Sequence, residues 1–504
     1  MKRLAHETDV TILQQAAVLL ERENAKLTAT VVELRRELAA LKGQSPEQLL
    51  LELAKLEQQL AQRNQALFGS SSERRTGEGG QEPAKEEKKP QTGHGPRAQP
   101  ALPMEEQVHE LDEPDAICTS CGGALKEWAG QYEEADEVDV IERRFVLRRH
   151  KRKKYRCACG GCVETAPGPL KLFPGARYSV AFVLAVVTGK YLEHLPLERQ
   201  VRAMGREGLV VDSQTLFDQC HALARLLEPA YDRLGKEQRK EAILLVDETR
   251  WPVFGKKGES AASKWHMWVS VSDVGVYYEI HDSRSAQAGR SMLGGYEGFV
   301  VCDGYGVYES LAGELPTLKL VQCWSHVRRK FIEVETAFPT ETEQILGLLR
   351  ELYAIEEKAP PGPDGDEERR LLRATESRDV LARIQQWCIE VQCLPESGLA
   401  RAIKYMAKRW SRLRRFLDDP RLPLDNNGAE RALRGPVVGR KNHYGSRSRR
   451  GTEVAAILYS LIESAKLVGL NPTAYLRCAV ESALRGETIP LPHELGNATS
   501  SAAR

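Results

Sequence analysis

Leucine recurs at every seventh position at Leu13, Leu20, Leu27, Leu34 and Leu41, and Val10, Ala17, Asn24, Val31 and Leu38 each fall three positions ahead. This is the a and d seam of a left-handed coiled coil, and a polar Asn24 at an a position is of the kind that sets register and dimeric state. One amphipathic helix packed on its own protein is the plainer alternative. A seam sustained over more than four heptads favours self-association. Gly43 and Pro46 break the helix, and Leu53, Leu56, Leu60 and Leu67 carry a second helical stretch, so residues 1–68 form a coiled-coil or helical oligomerisation region. Residues 69–103 are almost free of bulky apolar side chains and rich in Gly, Pro, Ser, Lys and Glu, which predicts a flexible linker.

Further on the pattern is helical over residues 178–240. Leu197–Gly205 followed by Leu209-Val-Val-Asp-Ser-Gln-Thr-Leu-Phe reads as a helix-turn-helix within a region spanning 173–240. Gly205 and Gly208 permit the turn, and Asp212 or Ser213 can cap the second helix. Gln214, Thr215 and Gln219 would then face a DNA groove. A plain helical hairpin is the alternative.

From Glu241 the period changes. Ala242-Ile-Leu-Leu-Val246 is a short apolar run ending on Asp247, and Lys264–Val271 and Gly275–Ile280 follow as strands. Arg284–Leu293 reads as a helix, Gly298–Cys302 as an apolar strand ending on Asp303, and Leu318–Cys323 as a fifth strand. Three strands, a helix, a strand, a helix and a strand is the order of a ribonuclease-H-like α/β core. We therefore expect its first part at 241–334, a helical insertion at 335–420, and its second part with C-terminal helices at 421–485. Residues 486–504 are expected to be a disordered tail.

Composition adds little at first. The chain has 504 residues, 28% of them charged, and a net charge of only +1, so several domains are expected and bulk charge announces no nucleic-acid binder. No apolar run approaches the length of a membrane span, and the start, Met-Lys-Arg-Leu, lacks a signal-peptide stretch, which predicts a cytoplasmic protein. The distribution of charge matters more. Arg143–Arg156 holds nine Lys or Arg and no acid, among them Arg148, Arg149, Lys151 and Arg152. Either it is a solvated charged strand or it contacts phosphates.

That basic run lies between Cys118-Thr-Ser-Cys121 and Cys157-Ala-Cys159-Gly-Gly-Cys162. In a reducing compartment, clustered cysteines beside turn-forming glycines suit a tetrahedral structural Zn²⁺ within a domain at 104–172. Cys118, Cys121 and Cys157 are three ligands, and Cys159 and Cys162 contend for the fourth place. Free reduced cysteines are the alternative.

Two apolar strands ending on Asp point to metal chemistry, because open α/β sheets place their sites at strand C-terminal ends. Phosphodiester cleavage at neutral pH needs an activated water and relief of charge on the leaving oxygen. Two Mg²⁺ ions about 3.5–4 Å apart supply both, and hard carboxylate oxygens suit them. Helix capping or a surface turn would explain either Asp alone. A third carboxylate is found in Pro423-Leu-Asp-Asn-Asn-Gly-Ala-Glu-Arg-Ala-Leu-Arg434. Asp425, Asn426 or Asn427 can cap a helix whose first turns carry Glu430. From Arg431 to Arg450 there are seven Lys or Arg and no acid, including Arg434, Arg440 and Lys441.

At this point a resemblance becomes specific. The sequence resembles the insertion sequence sixty-six transposase family, the larger catalytic protein of such elements. The motifs that carry the resemblance are Leu67-Phe-Gly-Ser-Ser-Ser-Glu-Arg74, the cysteine knuckles, Lys190-Tyr-Leu-Glu-His-Leu-Pro-Leu197, Val246-Asp-Glu-Thr249 and Asp303-Gly-Tyr305. Cys323-Trp-Ser-His-Val-Arg-Arg-Lys-Phe331, Asp425-Asn-Asn-Gly-Ala-Glu-Arg431, Arg440-Lys-Asn442, Ala456–Leu461, Ala465–Gly469 and Pro472–Leu476 follow in one order. The resemblance implies a ribonuclease-H-like catalytic domain with an Asp-Asp-Glu triad on Asp247, Asp303 and Glu430. It further implies two Mg²⁺ per site, and as partners the terminal inverted repeats of the element, target DNA and accessory proteins of the same element. Cys323 and His326 resemble a Cys-x-x-His found after the second Asp in several transposase groups; packing near the site accounts for the pair better than a metal does. His326 and Arg329 join the expected DNA contacts. Where the family carries a bulkier aromatic–aliphatic run after Arg440-Lys-Asn442, this chain has His443-Tyr-Gly-Ser446. A nuclease on the same core, or a DNA-binding protein with a relic core, are the competing functions.

Overall fold

The computed structural model describes residues 144–156, 163–254 and 265–501. The heptad region, the linker and the five knuckle cysteines, Cys118, Cys121, Cys157, Cys159 and Cys162, lie outside the described residues.

A short antiparallel hairpin comes first, β1 (Lys154–Arg156) against β2 (Val163–Thr165), with Arg156 opposite Val163. Three helices follow: α1 (Val180–Tyr191), α2 (Leu197–Arg206) and α3 (Ser213–Gln238). Asp212 caps α3 by accepting from the Thr215 N–H at 2.7 Å, as an Asp at that position should. The helix then runs on for 26 residues and buries Leu216, Gln219, Cys220, Leu223 and Leu227 along one face. Gln219, expected to face a groove, therefore points into the core.

The central sheet is built from β3 (Ile243–Arg250), β4 (His266–Ser272), β5 (Gly275–His281), β6 (Gly298–Cys302) and β7 (Leu318–Gln322). Its order is β5-β4-β3-β6-β7. β3, β4 and β5 pair antiparallel, whereas β6 and β7 join parallel to β3 and to each other. The crossovers are α4 (Ala286–Leu293) and α5 (Gly306–Glu314). β3 is longer than the apolar run predicts. It passes through Asp247 to Arg250, because β4 goes on pairing with it after the parallel ladder to β6 has ended at Leu245.

The middle strands are buried on both faces, which is why they read as continuous apolar runs. Leu244 and Val246 of β3 and Val300 and Cys302 of β6 enter one core with α1, α3 and α13 (Arg449–Leu467). Ile243 and Leu245, with Phe299 and Val301, face a second core made by helices from residues 339–417. Alternation then fixes the next residues. Asp247 and Asp303 continue the second face, and Glu248 continues the first.

α13 is buried over most of its length and covers the β5 edge. Ser460 and Ser464 accept from the Tyr278 and Val276 N–H groups at 2.9 and 2.8 Å, so an edge that would otherwise invite another strand is satisfied by a helix. Past β7 come α6 (Trp324–Ile332), α7 (Pro339–Glu356), α8 (Asp366–Leu372), α9 (Arg378–Glu390), α10 (Gly398–Ala407) and α11 (Trp410–Leu413). Buried Arg373 ties this helical segment together. It pairs with Glu356 at 2.7 Å and donates to the carbonyls of Asp419 and Leu422 at 2.9 and 2.8 Å. The chain returns to the sheet through α12 (Asn427–His443) and ends in α14 (Pro472–Leu484) and α15 (Pro492–Ser501). The expected disordered tail is thus corrected: Ile489 and Leu491 are buried, and Arg233 binds Glu494 at 2.9 Å. Two apolar anchors and one ion pair hold a helix where composition suggested none.

Candidate active site

Asp247 lies where β3 leaves β6, so its carboxylate sits at the mouth of the split between them. Oδ1 accepts from the Glu248 N–H at 2.8 Å. Burial, then the charge of Glu248, and beyond it those of Asp303 and Glu430, push its carboxyl up to about 7. Each of these effects disfavours the ionised form.

Asp303 follows β6 directly and opens a tight turn in which its Oδ1 accepts from the Tyr305 N–H at 2.9 Å. Gln322, at the end of β7, donates to the Asp303 carbonyl at 3.1 Å. The helical segment grips the same turn. Arg409 donates to the Gly304 carbonyl at 2.9 Å, and Arg412 pairs with Glu309 at 2.7 Å. Gly304 is needed for this approach, since a Cβ there would fall 2.5 Å from the Tyr405 hydroxyl.

Glu430 stands in the first turn of α12. Asn426 places it: its N–H reaches Cys323 Sγ at 3.2 Å, and its side-chain amide donates to the Val246 carbonyl at 2.8 Å. The residue before Asp247 is thereby tied to the helix of Glu430. Gly428 lets the helix settle on β3, because a Cβ there would lie 2.8 Å from Leu245 Cδ2. Cys323 is buried and accepts from the Asn426 N–H, and His326 turns Nε2 to 3.9 Å from Glu430 Oε1. Burial and the Arg329 charge hold the His326 imidazole below the ordinary histidine value, against the opposing charges of Asp303 and Glu430. Arg329 stands 3.8 Å from Glu430 Oε2. Glu430 Oε1 is buried without a hydrogen-bond donor.

These carboxylates suit a hard divalent ion. Asp303 and Glu430 add to the rise of the Asp247 carboxyl, and one buried Glu430 oxygen has no donor of its own. Among the described residues, no three His, Cys, Asp or Glu side chains stand at metal-ligand spacing.

Sequence reasoning missed Glu248. Its side chain is fully buried on the opposite face from Asp247 and is held by Arg284 and Tyr308. Arg284 Nε donates to it at 3.0 Å, and its guanidinium lies 3.7 Å above the Tyr305 ring. The Tyr305 hydroxyl closes the loop on the Arg284 carbonyl at 2.7 Å. Burial raises the Glu248 carboxyl, while the Tyr308 and Arg284 hydrogen bonds oppose that rise. This network fixes the Asp303 turn to β3. The only signal in the sequence is the adjacent Asp-Glu pair, which must divide between two faces.

The basic candidates divide sharply. Arg431, Arg434 and Lys441 are exposed on α12, with no carboxylate partner among the described residues. Arg440 is spent: it turns back onto Thr249 Oγ1 at 2.9 Å and onto the Arg250 carbonyl. Arg148, Arg149 and Lys151 are exposed on the segment leading into β1, and Arg152 is held by the Ala166 carbonyl at 2.6 Å. Gln214 is exposed but bonded to Asp218 at 2.9 Å, and the Thr215 hydroxyl returns to Asp212 at 3.0 Å. Asp218 in turn meets Arg450 at 3.3 Å, so the start of α3 adjoins the first turn of α13.

Residues 175–454 match the family model of the transposase IS66 family, and residues 115–160 match the zinc-finger binding domain of transposase IS66. The chain belongs to the transposase IS66 family. A transposase domain with a zinc-finger domain upstream of it is the organisation that results. The uncharacterized protein y4jD of Sinorhizobium fredii is 33% identical over 395 residues, covering 75% of this chain and 76% of that one. The uncharacterized proteins y4qI and y4hP of the same organism are each 26% identical, covering 74% of this chain and 71% of theirs. The family match spans Asp247, Asp303 and Glu430 and the whole central sheet. The zinc-finger match takes in Cys118, Cys121, Cys157 and Cys159. No described helix is long and apolar enough to cross a membrane.

Proposed function

We propose that this chain is a DNA transposase that cuts at the ends of its insertion element and joins them to target DNA. Asp247, Asp303 and Glu430 form its catalytic triad. The observation that carries the reading is the Asp247 carboxyl, pushed up to about 7 by burial and by its acidic neighbours. Perturbed carboxyls of this kind cluster at catalytic and metal sites, and this one stands with Asp303 and Glu430 within a matched transposase domain. The strand order, three antiparallel strands and then two parallel ones, supports a ribonuclease-H-like core.

The three carboxylates would hold two Mg²⁺ ions, which when bound supply an activated water and offset charge on the leaving oxygen. The chain's own residues do the placing. Asn426 and Gly428 fix the Glu430 helix against β3, while the Glu248–Arg284–Tyr305 network and Arg409 fix the Asp303 turn. Arg329, Arg431 and Arg434 flank Glu430 and would hold the phosphates on either side of the scissile one, with His326 beside them. Arg148, Arg149, Lys151 and Lys441 add sequence-independent phosphate contacts, and Gln214 is left as the side chain able to read a base. The zinc-finger domain and residues 1–68 would bind the ends and pair two protomers, with accessory proteins of the element as further partners.

The test is incubation of the full chain with Mg²⁺, DNA carrying both inverted repeats that flank its gene, and a target plasmid. Cleavage at the repeats with joined products is expected. Cleavage without joining would mark a nuclease, and intact DNA would overturn the proposal.

A further inference from the structure

At the end of α12 remote from Glu430, the chain makes a turn that holds an aromatic ring in water. Tyr444 closes the helix in the left-handed conformation, φ 59° and ψ 26°, which glycine or asparagine adopts with less strain. Its side chain is 68% exposed. The turn beneath it is well tied. The Ser446 N–H donates to the Pro252 carbonyl at 3.0 Å, and the Phe254 N–H donates to the Ser446 carbonyl at 2.9 Å. Trp251 Nε1 donates to Ser446 Oγ at 3.1 Å. Gly445, left-handed at φ 84°, presses so closely on Pro252 that a Cβ would fall 2.2 Å from its carbonyl oxygen. Phe254, bonded into this turn, is 45% exposed. Backbone strain persists where the surroundings enforce it and clusters at functional places.

The charge around the turn indicates what covers the rings. Lys441 and Arg447 are exposed and have no carboxylate partner among the described residues. Residues 431–450 contain no acid. Several arginines elsewhere are matched: Arg373 to Glu356, Arg383 to Glu351 and Arg412 to Glu309. Exposed cations and exposed rings on one turn suit unpaired nucleic acid, in which phosphates meet the charges and bases stack on the aromatic faces. On the reading of the chain as a DNA transposase, we infer that Tyr444, with Phe254 beside it, is a stacking site for an unpaired base near the element end. Fourteen residues of helix separate it from Glu430. That is about 21 Å at about 1.5 Å per residue, or about six nucleotides at about 3.4 Å each.

The experiment uses the full chain and duplexes of the inverted repeat. A short unpaired bubble is moved along them, and one strand carries 2-aminopurine. Wild type and Tyr444→Phe should quench the probe about six nucleotides from the cleaved phosphate. Tyr444→Gly, which keeps the left-handed turn without strain, should lose the quenching and bind the bubble about tenfold more weakly, with fully paired duplex changed less than about twofold. Equal quenching and affinity in Tyr444→Gly and wild type would overturn the site. So would a change of oligomeric state with unaltered DNA binding, which would give the turn to a second copy. If wild type bound none of the duplexes, the transposase reading itself would fail, and the stacking site with it.

Discussion

Replacing Asp247 by Asn should make the metal-free protein more stable. The Asp247 carboxyl is moved from its ordinary 3.8 to about 7, and each pH unit is worth about 1.4 kcal/mol. The folded chain therefore loses up to about 4 kcal/mol by keeping this group ionised at pH 8. Re-orientation of neighbouring side chains makes that a ceiling, and a gain of about 2–4 kcal/mol for Asp247→Asn is expected. The sign follows from linkage. A raised carboxyl pKa means that the folded state holds the proton more tightly, so its stabilising contribution is complete below about pH 4 and is lost as pH rises towards 7. The advantage of the variant should thus be full at pH 8 and small at pH 4–5. Thermal unfolding followed by tryptophan fluorescence, in buffer stripped of divalent ions, would show it as a rise of roughly 2 °C per kcal/mol at pH 8. Trp251 and Trp268 are buried in the sheet core and report on it. Adding Mg²⁺ should then stabilise wild type and leave Asp247→Asn unchanged. A variant less stable than wild type at pH 8, or a difference that does not depend on pH, would refute the claim that this carboxylate is held against its preference.

Three further outcomes are expected. Arg373→Met leaves Glu356 with only the longer Arg369 contact at 3.7 Å and strips a donor from the carbonyls of Asp419 and Leu422 in a buried setting, and should cost about 3–5 kcal/mol in thermal unfolding; a cost below about 1 kcal/mol would mean the pair is replaceable. Purified protein should carry about one zinc per chain, lost on Cys118→Ser or Cys157→Ser. Separate Cys159→Ser and Cys162→Ser proteins should differ, one of them keeping the metal; elemental analysis without zinc would end that assignment. Arg431→Ala with Arg434→Ala should weaken binding to specific and random DNA alike and lower the salt slope by about 2; an unchanged slope would leave these arginines as a solvated helix face.

The two aspartates stood out in the sequence because each ends an apolar run; that they continue one face of the sheet follows from the strand pairing and the two cores. Glu430 was legible through its helix start. What joined these pieces was not. Asn426, one of three cap candidates, does stand at the N-cap, but its side chain is spent on the Val246 carbonyl 180 positions away. The Glu248 clamp depends on Arg284 and Tyr308, 36 and 60 positions on, and no local pattern encodes such a pairing. Gln219 was read from a window too short to show that α3 continues as one helix whose 3.6-residue stripe turns it inward. The chain's end was misjudged for a similar reason: polar composition outweighed the two apolar anchors, Ile489 and Leu491. Basic residues could be counted in sequence, but only their partners separate Arg440, folded onto β3, from Arg431 and Arg434, which stay free.

The account rests on three carboxylates acting as one site, and strand cleavage measures that directly. Wild type, Asp247→Asn, Asp303→Asn and Glu430→Gln would be compared on DNA carrying the element's inverted repeats, with binding to the same DNA followed in parallel. Each change removes a ligand charge with little change in volume. All three variants should bind DNA as wild type does and cut it at less than a thousandth of its rate. Cleavage at the wild-type rate by any one of them would remove that residue from the site and contradict the account.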